Sequence, residues 1–178
     1  MNLPRPALIF RDSSLRVARN LLSAALMLVA GPALARDSLG IFGTWGAFRD
    51  ASVPRCYAIA MAQPSSRERA FQPYADVGSW PRRGTRGQVH FRLSRKIAPG
   101  ARITLSIGGQ RLDLVGGGGD AWAADQRMDA AVIAAMRSAP DMTVSSHDVD
   151  GRGFANSYQL EGAATAMDAA LIGCAQLK

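Results

Sequence analysis

Apolar and polar residues alternate strictly in the middle of the chain. Val89, Phe91 and Leu93 fall on one side of an extended backbone, and His90, Arg92 and Ser94 on the other. Successive side chains of a strand point to opposite faces, so this pattern predicts a half-buried strand. Ile103, Leu105 and Ile107 repeat it between Arg102 and Ile107. Gly108 and Gly109 then offer a turn, and Leu112 and Leu114 resume the alternation from Arg111 to Val115. "SIGGQRLDL" therefore predicts a hairpin, because paired glycines reach the positive φ that two-residue turns demand. Further strands are expected at Gly43 to Phe48, Cys56 to Ala62, Met142 to Ser146 and Phe154 to Leu160, the last two joined across "DVDGRG".

The period changes twice. Between Gln126 and Ser138, residues Met128, Val132 and Met136 recur at helical spacing, with Ala131 and Ala135 on the same side. Asp125 stands where a cap belongs and Pro140 where the helix must stop. A second helix is expected from about Ala166 to Cys174: Thr165 and Asp168 make a start signal, and Met167, Leu171 and Cys174 share a face. No internal repeat or linker interrupts the pattern. The expected fold is α+β, a β-rich antiparallel sandwich-like single domain with two helices.

The most apolar run, Leu21 to Val29, does not belong to that domain. Arg5, Arg11, Arg16 and Arg19 precede it, Gly31 and Pro32 break it, and Ala33-Leu34-Ala35 follows. A basic segment, a short apolar core and an A-x-A site identify residues 1–35 as a secretory signal peptide. A membrane-spanning helix needs roughly 20 apolar residues, more than this stretch holds before Pro32. No transmembrane segment is expected after cleavage, and no cysteine follows the cut to carry a lipid. Residues 36–178 remain, a length suited to one core. Removing the signal lowers the formal net charge from +7 to +4, so whole-chain basicity is no argument for nucleic acid. The expected location is the periplasm, with outer-membrane association or secretion left open.

That compartment bears on Cys56 and Cys174, the only two cysteines, both downstream of the cut. In an oxidising space a disulfide is the simplest reading, with two independent buried thiols as the alternative. Closing a loop of about 120 residues stabilises by roughly 4 to 5 kcal/mol in the chain-entropy model, an upper figure because native strain subtracts.

Three segments, "FGTWGAFRDASVPRCYAIA", "AWAADQRMDAAVIAAMR" and "YQLEGAATAMDAALIGC", stand in this order behind the signal. Together they resemble the invasion-associated locus B family of bacterial exported proteins, over a stretch from about Leu39 to Cys174. The resemblance implies a small periplasmic or envelope-associated protein, of a kind linked in pathogens to host-cell invasion, without an established catalytic activity. In that family a Trp is followed shortly by one cysteine and then by another in the next strand. Here Trp45 matches, Phe48 and Arg49 occupy the place of the first cysteine, and Cys56 matches the second. The family's local bridge cannot form, and Cys174 is the substitute partner; the chain is a divergent member on this reading.

Candidate chemistry is sparse. His147 lies in "SSHDVDGR" with Ser145, Asp148 and Asp150, which admits a hydrolase or lipid-modifying site as the alternative function, although a polar hairpin turn explains the segment as well. The two aspartates are too few for a calcium loop. "GGGGDAW" lacks the Lys-Ser/Thr of a phosphate loop and reads as a flexible connection from strand to helix, with Trp122 in the core or as a lid, a ligand-facing aromatic being the alternative. No catalytic set, metal site or cofactor is expected. The most suggestive stretch is "SSRERAFQPYADVGSWPRRGTRG", where Arg67, Arg69, Arg82, Arg83 and Arg86 accumulate around Trp80, Phe71 and Tyr74. Guanidinium forks match phosphate and carboxylate, so these arginines with Trp80 form a candidate patch for an anionic lipid or lipopolysaccharide. The competing explanation is a solvated loop whose arginines pair with Glu68 and Asp76. The leading expectation is a non-catalytic exported protein engaging an envelope protein or an anionic surface partner, and a third reading is a chaperone- or inhibitor-like module presenting a strand edge.

The mature protein is predicted to begin at Arg36. Expression with its own leader, followed by osmotic release and N-terminal sequencing, should return "RDSLG"; recovery of intact Met1 in the membrane fraction would refute it.

Overall fold

Ten strands and two helices account for most of the residues that the computed structural model describes, 36–67, 69–175 and 177. The signal-peptide expectation for residues 1–35 lies outside the described residues. In chain order the elements are β1 (Asp37–Phe42), β2 (Trp45–Asp50), β3 (Arg55–Met61), β4 (Tyr74–Trp80), β5 (Thr85–Arg92), β6 (Ile103–Ile107), β7 (Gln110–Gly117), β8 (Asp120–Trp122), α1 (Gln126–Met136), β9 (Asp141–His147), β10 (Gly153–Gln159) and α2 (Ala163–Ala175). A short 3-10 turn at Pro81–Arg83 joins β4 to β5. All strand pairs are antiparallel, in the order β1-β2-β3-β4-β5-β8-β7-β6-β9-β10. The fold is α+β and β-rich, as the alternation predicts.

The sheet bends through β7, whose first residues pair with β6 while Val115 to Gly117 pair with β8. The bend folds one half of the sheet towards the other. Phe91 of β5 meets Tyr158 of β10 at 6.0 Å between ring centroids, and the Ser94 amide donates to Asn156 Oδ1 at 3.0 Å. Across the same closure, Trp45 Nε1 donates to the Gln159 carbonyl at 2.8 Å. Of the predicted inward set, Val89, Phe91, Leu93, Ile103, Leu105, Ile107 and Leu114 are buried and Leu112 is partly buried against them, joined by Met142, Val144 and Tyr158. Among the described residues β1 and β10 are the sheet's end strands, and β10 is partly covered: Gln63 donates its amide to the Ser157 carbonyl.

The bridge between Cys56 and Cys174 is formed, with Cα atoms 5.5 Å apart across 118 residues. It fits an oxidising, extracytoplasmic compartment. It fastens α2 to β3 on the face carrying Ala47, Ala58 and Ala60, all buried. The helix buries Ala163, Ala166, Met167, Ala170, Gly173 and Cys174 there. Small residues on both sides allow close approach: a Cβ on Gly173 would meet the Leu39 side chain. Gly162, at φ +85°, lets the chain enter the helix against the Phe42 carbonyl, where no side chain fits.

Several expectations need correction. Three strands escape the alternation rule: β1, β4 and β8. In β4 the inward residues are only Ala75 and Val77, too small an apolar signal beside Pro73, Gly78 and the arginines. The glycine run from Gly116 is the hairpin between β7 and β8, with Gly118 at φ +61°, rather than a connection from strand to helix. Helix α1 is capped by Asp125, which accepts from the Met128 amide at 2.8 Å, but ends at Met136, and Ala131 faces solvent. Helix α2 starts at Ala163, so Asp168 lies in its second turn and pairs with Arg137, the residue that caps the end of α1, at 2.6 Å. Leu171 is 52% exposed, because one helical step of about 100° from Ala170, at the centre of the buried stripe, carries it beyond the stripe's edge at Met167. No helix among the described residues is long and apolar enough to cross a membrane.

Replacing Cys56 and Cys174 by Ala should leave a foldable domain that is less stable by about 2 to 5 kcal/mol in urea unfolding. A loss below half a kcal/mol would show that the small-residue contact alone holds α2.

Candidate functional site

Strands β6, β9 and β10 present Thr104, Thr143, Ser145, His147 and Ser157 on the side away from the core. Alternation dictates this, since Met142, Val144 and Ser146 point inward from the same strand. Arg102 stands at the head of β6. The loop after β3 then crosses β10, with Arg67 Nη1 donating to the Gly153 carbonyl at 2.8 Å. The result is a surface pocket of about 570 Å³ lined by Arg67, Arg102, His147, Ser65, Thr104 and Ser145, with Ser146, Gly153, Phe154 and Ala155. No carboxylate is among its described lining residues. The closest pairing is at the rim, where Arg102 Nε lies 3.7 Å from Asp113, both side chains being mostly exposed. Two guanidinium groups, an imidazole and several hydroxyls can donate to a phosphate- or carboxylate-bearing ligand.

The six residues proposed as one basic patch do not meet. Arg67 and Arg69 lie at the end of the β4–β5 hairpin where Tyr74 pairs with Arg92; Arg82, Arg83 and Arg86 lie at the other end, where Trp80 pairs with Thr85. Seven-residue strands hold those ends about 20 Å apart. Only Arg67 enters the cationic pocket. Arg69 is tied to the Gln63 carbonyl, with its Nε buried, and lowers the hydroxyl pKa of Tyr158, which burial more than offsets by pushing it well above the tyrosine range. Arg82 and Arg83 are exposed on the 3-10 turn, while Arg86 lies beside Ile133 and Arg137 near the two helices. Trp80 sits on the opposite face of the sheet, its ring over Gly78. Asp76, a suggested partner for these arginines, is held by His90 instead. Glu68 lies outside the described residues.

Sequence reasoning missed Arg102 and Thr104 because nothing local distinguishes them from other outward positions; cross-strand pairing of Thr104 with Ser145 brings them beside His147. Ser145 and His147 share the pocket, as their spacing of two predicts. Asp148 does not complete a triad with them. Its carboxylate accepts from the Asp150 and Arg152 amides and from Arg95 at 2.9 Å, which closes the β9–β10 turn. Burial would raise that carboxyl, yet the amides and arginines hold it below the ordinary aspartate value. Among the described residues no group of three or more His, Cys, Asp or Glu is placed to hold a metal.

The uncovered face of β3, β4, β5 and β8 carries a second polar group. His90 Nδ1 lies 2.8 Å from Asp76 Oδ2, His90 Nε2 lies 3.1 Å from Asp120 Oδ1, and Arg92 donates to Asp120 Oδ2 at 2.6 Å. Trp122 lies beside the imidazole at 5.1 Å and Tyr74 meets it edge-on at 5.7 Å. Trp122 is thus neither core nor lid. Burial alone would lower the His90 pKa, but the hydrogen bonds and charges of Asp76 and Asp120 raise it above 6.5.

The fold and these surfaces define a disulfide-anchored β-rich domain with polar and aromatic outer faces. Comparison with known families, characterised proteins and solved structures found no match.

A raised folded-state pKa means His90 contributes stability fully below its unfolded value, and loses it as pH climbs through the folded one. Imidazole NMR should place His90 above 6.5, and Asp76→Asn should move it down; an unmoved titration would remove Asp76 from the account.

Proposed function

We propose that this chain is an exported, non-catalytic envelope protein of the invasion-associated locus B type that engages an anionic envelope partner through the Arg67–Arg102–His147 pocket. One observation carries the reading: two guanidinium groups and an imidazole converge with hydroxyl donors in a recess that no carboxylate lines among the described residues. A phosphate or carboxylate group entering it meets side-chain donors from β6, β9 and the loop after β3, and Arg forks bind such groups bidentately. Phosphorylated lipopolysaccharide and anionic lipid headgroups supply this chemistry outside the cytoplasm. The disulfide accords with that compartment.

The second reading, a hydrolase or lipid-modifying enzyme, uses the same recess, because Ser145 and His147 both line it. A fluorogenic acyl or phosphate ester turned over by the wild type and not by Ser145→Ala would favour it.

Binding to lipopolysaccharide should weaken steeply between 50 and 300 mM salt, as exposed charges are screened over about 8 to 10 Å at near-physiological strength. The double substitution Arg67→Gln with Arg102→Gln should reduce affinity at least tenfold with stability changed by no more than about 1 kcal/mol, since both arginines are at the surface. Arg82→Gln with Arg83→Gln should leave the affinity within threefold. Equal losses from both pairs would assign binding to overall charge, and an absence of salt-dependent binding would reject the anionic partner.

A further inference from the structure

The chain is poor in aromatic residues, and several lie outside the space between the two halves of the sheet, four of them half-buried and Tyr57 buried among its neighbours. Phe48, Tyr57, Tyr74, Trp80 and Trp122, five of the twelve Phe, Trp and Tyr residues, stand on the face of β2, β3, β4, β5 and β8 that, among the described residues, neither helix nor an opposing strand covers. Their positions follow from register: Phe48 is opposite Tyr57, Tyr57 opposite Gly78, and His90 opposite Trp122. Phe48 and Tyr57 stack at 5.6 Å, and Arg55 lies over Tyr57 at 4.8 Å. Glycines under two of the rings let them settle onto the sheet: a Cβ on Gly46 or Gly78 would come within 2.7 Å of Phe48 or Trp80.

Between these rings lies a cleft of about 260 Å³ lined by Tyr57, Ile59, Tyr74, Trp80, Asp76, Arg55 and Arg36. Its charges balance. Arg36 and Arg55 approach Asp50 at 3.9 and 3.7 Å, and Asp76 is the remaining acid. Unlike the cationic pocket, it carries a carboxylate in its lining, and its two arginines face a second one, Asp50, beside it. One donor is only loosely met: Arg55 Nε is buried without a hydrogen-bond partner and faces Asp50 Oδ2 at 3.7 Å, beyond hydrogen-bond length. A buried donor left unpaired is unfavourable by about 1 to 3 kcal/mol, so an acceptor brought by a ligand is favoured there. Asp76 gives only Oδ2 to His90.

From this arrangement we infer that the cleft binds a neutral sugar ring of an oligosaccharide. The apolar face of a pyranose carries C–H groups of slight positive charge, which pack on the negative face of an aromatic ring. Its hydroxyls both donate and accept, matching a cleft that offers a carboxylate and guanidinium groups in balance. The volume suits one ring at a time, smaller than the roughly 300 to 1,000 Å³ of pockets for drug-sized ligands. Further rings of the chain would run along the face towards Trp122. The inference is independent of the anionic pocket, which opens on the other half of the sheet.

Tryptophan fluorescence and isothermal calorimetry with chitotetraose, cellotetraose and maltotetraose test it. Saturable binding of at least one is expected, insensitive to salt, at least tenfold weaker in Trp80→Ala and Asp76→Asn, and within twofold of wild type in the double substitution Arg67→Gln with Arg102→Gln. Trp80→Phe, which keeps a ring over Gly78, should recover part of the affinity. Failure of the intact wild-type protein to bind any of the three overturns the proposal whatever the variants do. So does binding that survives Trp80→Ala, or that disappears with the Arg67 and Arg102 pair, which would return the ligand to the anionic pocket.

Discussion

The structure depends on the close seating of α2 against β1 to β3. Ala163, Ala166, Ala170 and Gly173 meet a sheet surface built from Ala47, Ala58 and Ala60, and the Cys56–Cys174 bridge holds the two together. Small residues let the helix come near enough for a disulfide with Cα atoms 5.5 Å apart. Larger side chains would lift the helix and part the cysteines. The constraint also extends to the helix start, where Gly162 passes the Phe42 carbonyl at a place no side chain can share.

With α2 over one part of the inner face, the remainder is covered by the sheet itself. The bend in β7 brings β10 across from β5, and Trp45, Phe91 and Tyr158 fill the space between. Helix α1 joins at the margin. Its Asp129 accepts from the Val89 amide at 2.8 Å, where β8 no longer pairs with β5, and burial raises that carboxyl despite the hydrogen bond. Arg137, just past the end of α1, and Asp168 of α2 then link the two helices, and that bond lowers the aspartate's pKa.

Covering the inner face from one side leaves two outer faces of different chemistry. On β6, β9 and β10 hydroxyls and cations dominate. On β3, β4, β5 and β8 the outward residues are aromatic rings with carboxylates, an imidazole and guanidinium groups in near balance. The arginines of one sequence cluster are divided between these regions and the helix side, since the β4–β5 hairpin runs between Arg69 and Arg82. A run of charge in sequence therefore did not become a patch of charge in space.

Local periodicity determined the strands around Val89, Ile103 and Leu112, the hairpin at Gly108, the existence of both helices and the α+β class, because a half-buried element records its inner face in every second or every third to fourth residue. Cysteine count and the implied compartment led to the Cys56–Cys174 pairing. Strands β1, β4 and β8 were hidden, since an irregularity in β1 takes Leu39 and Phe42 out of strict alternation and the small inward residues of β4 and β8 leave almost no periodic signal. What only the tertiary structure decided is which outward residues meet. Arg67 joins Arg102 and His147, and Tyr57 joins Trp80, through cross-strand register and loop crossing. Those contacts are set by pairing between distant segments, and alternation within one segment specifies only the face of a side chain, not its neighbours there.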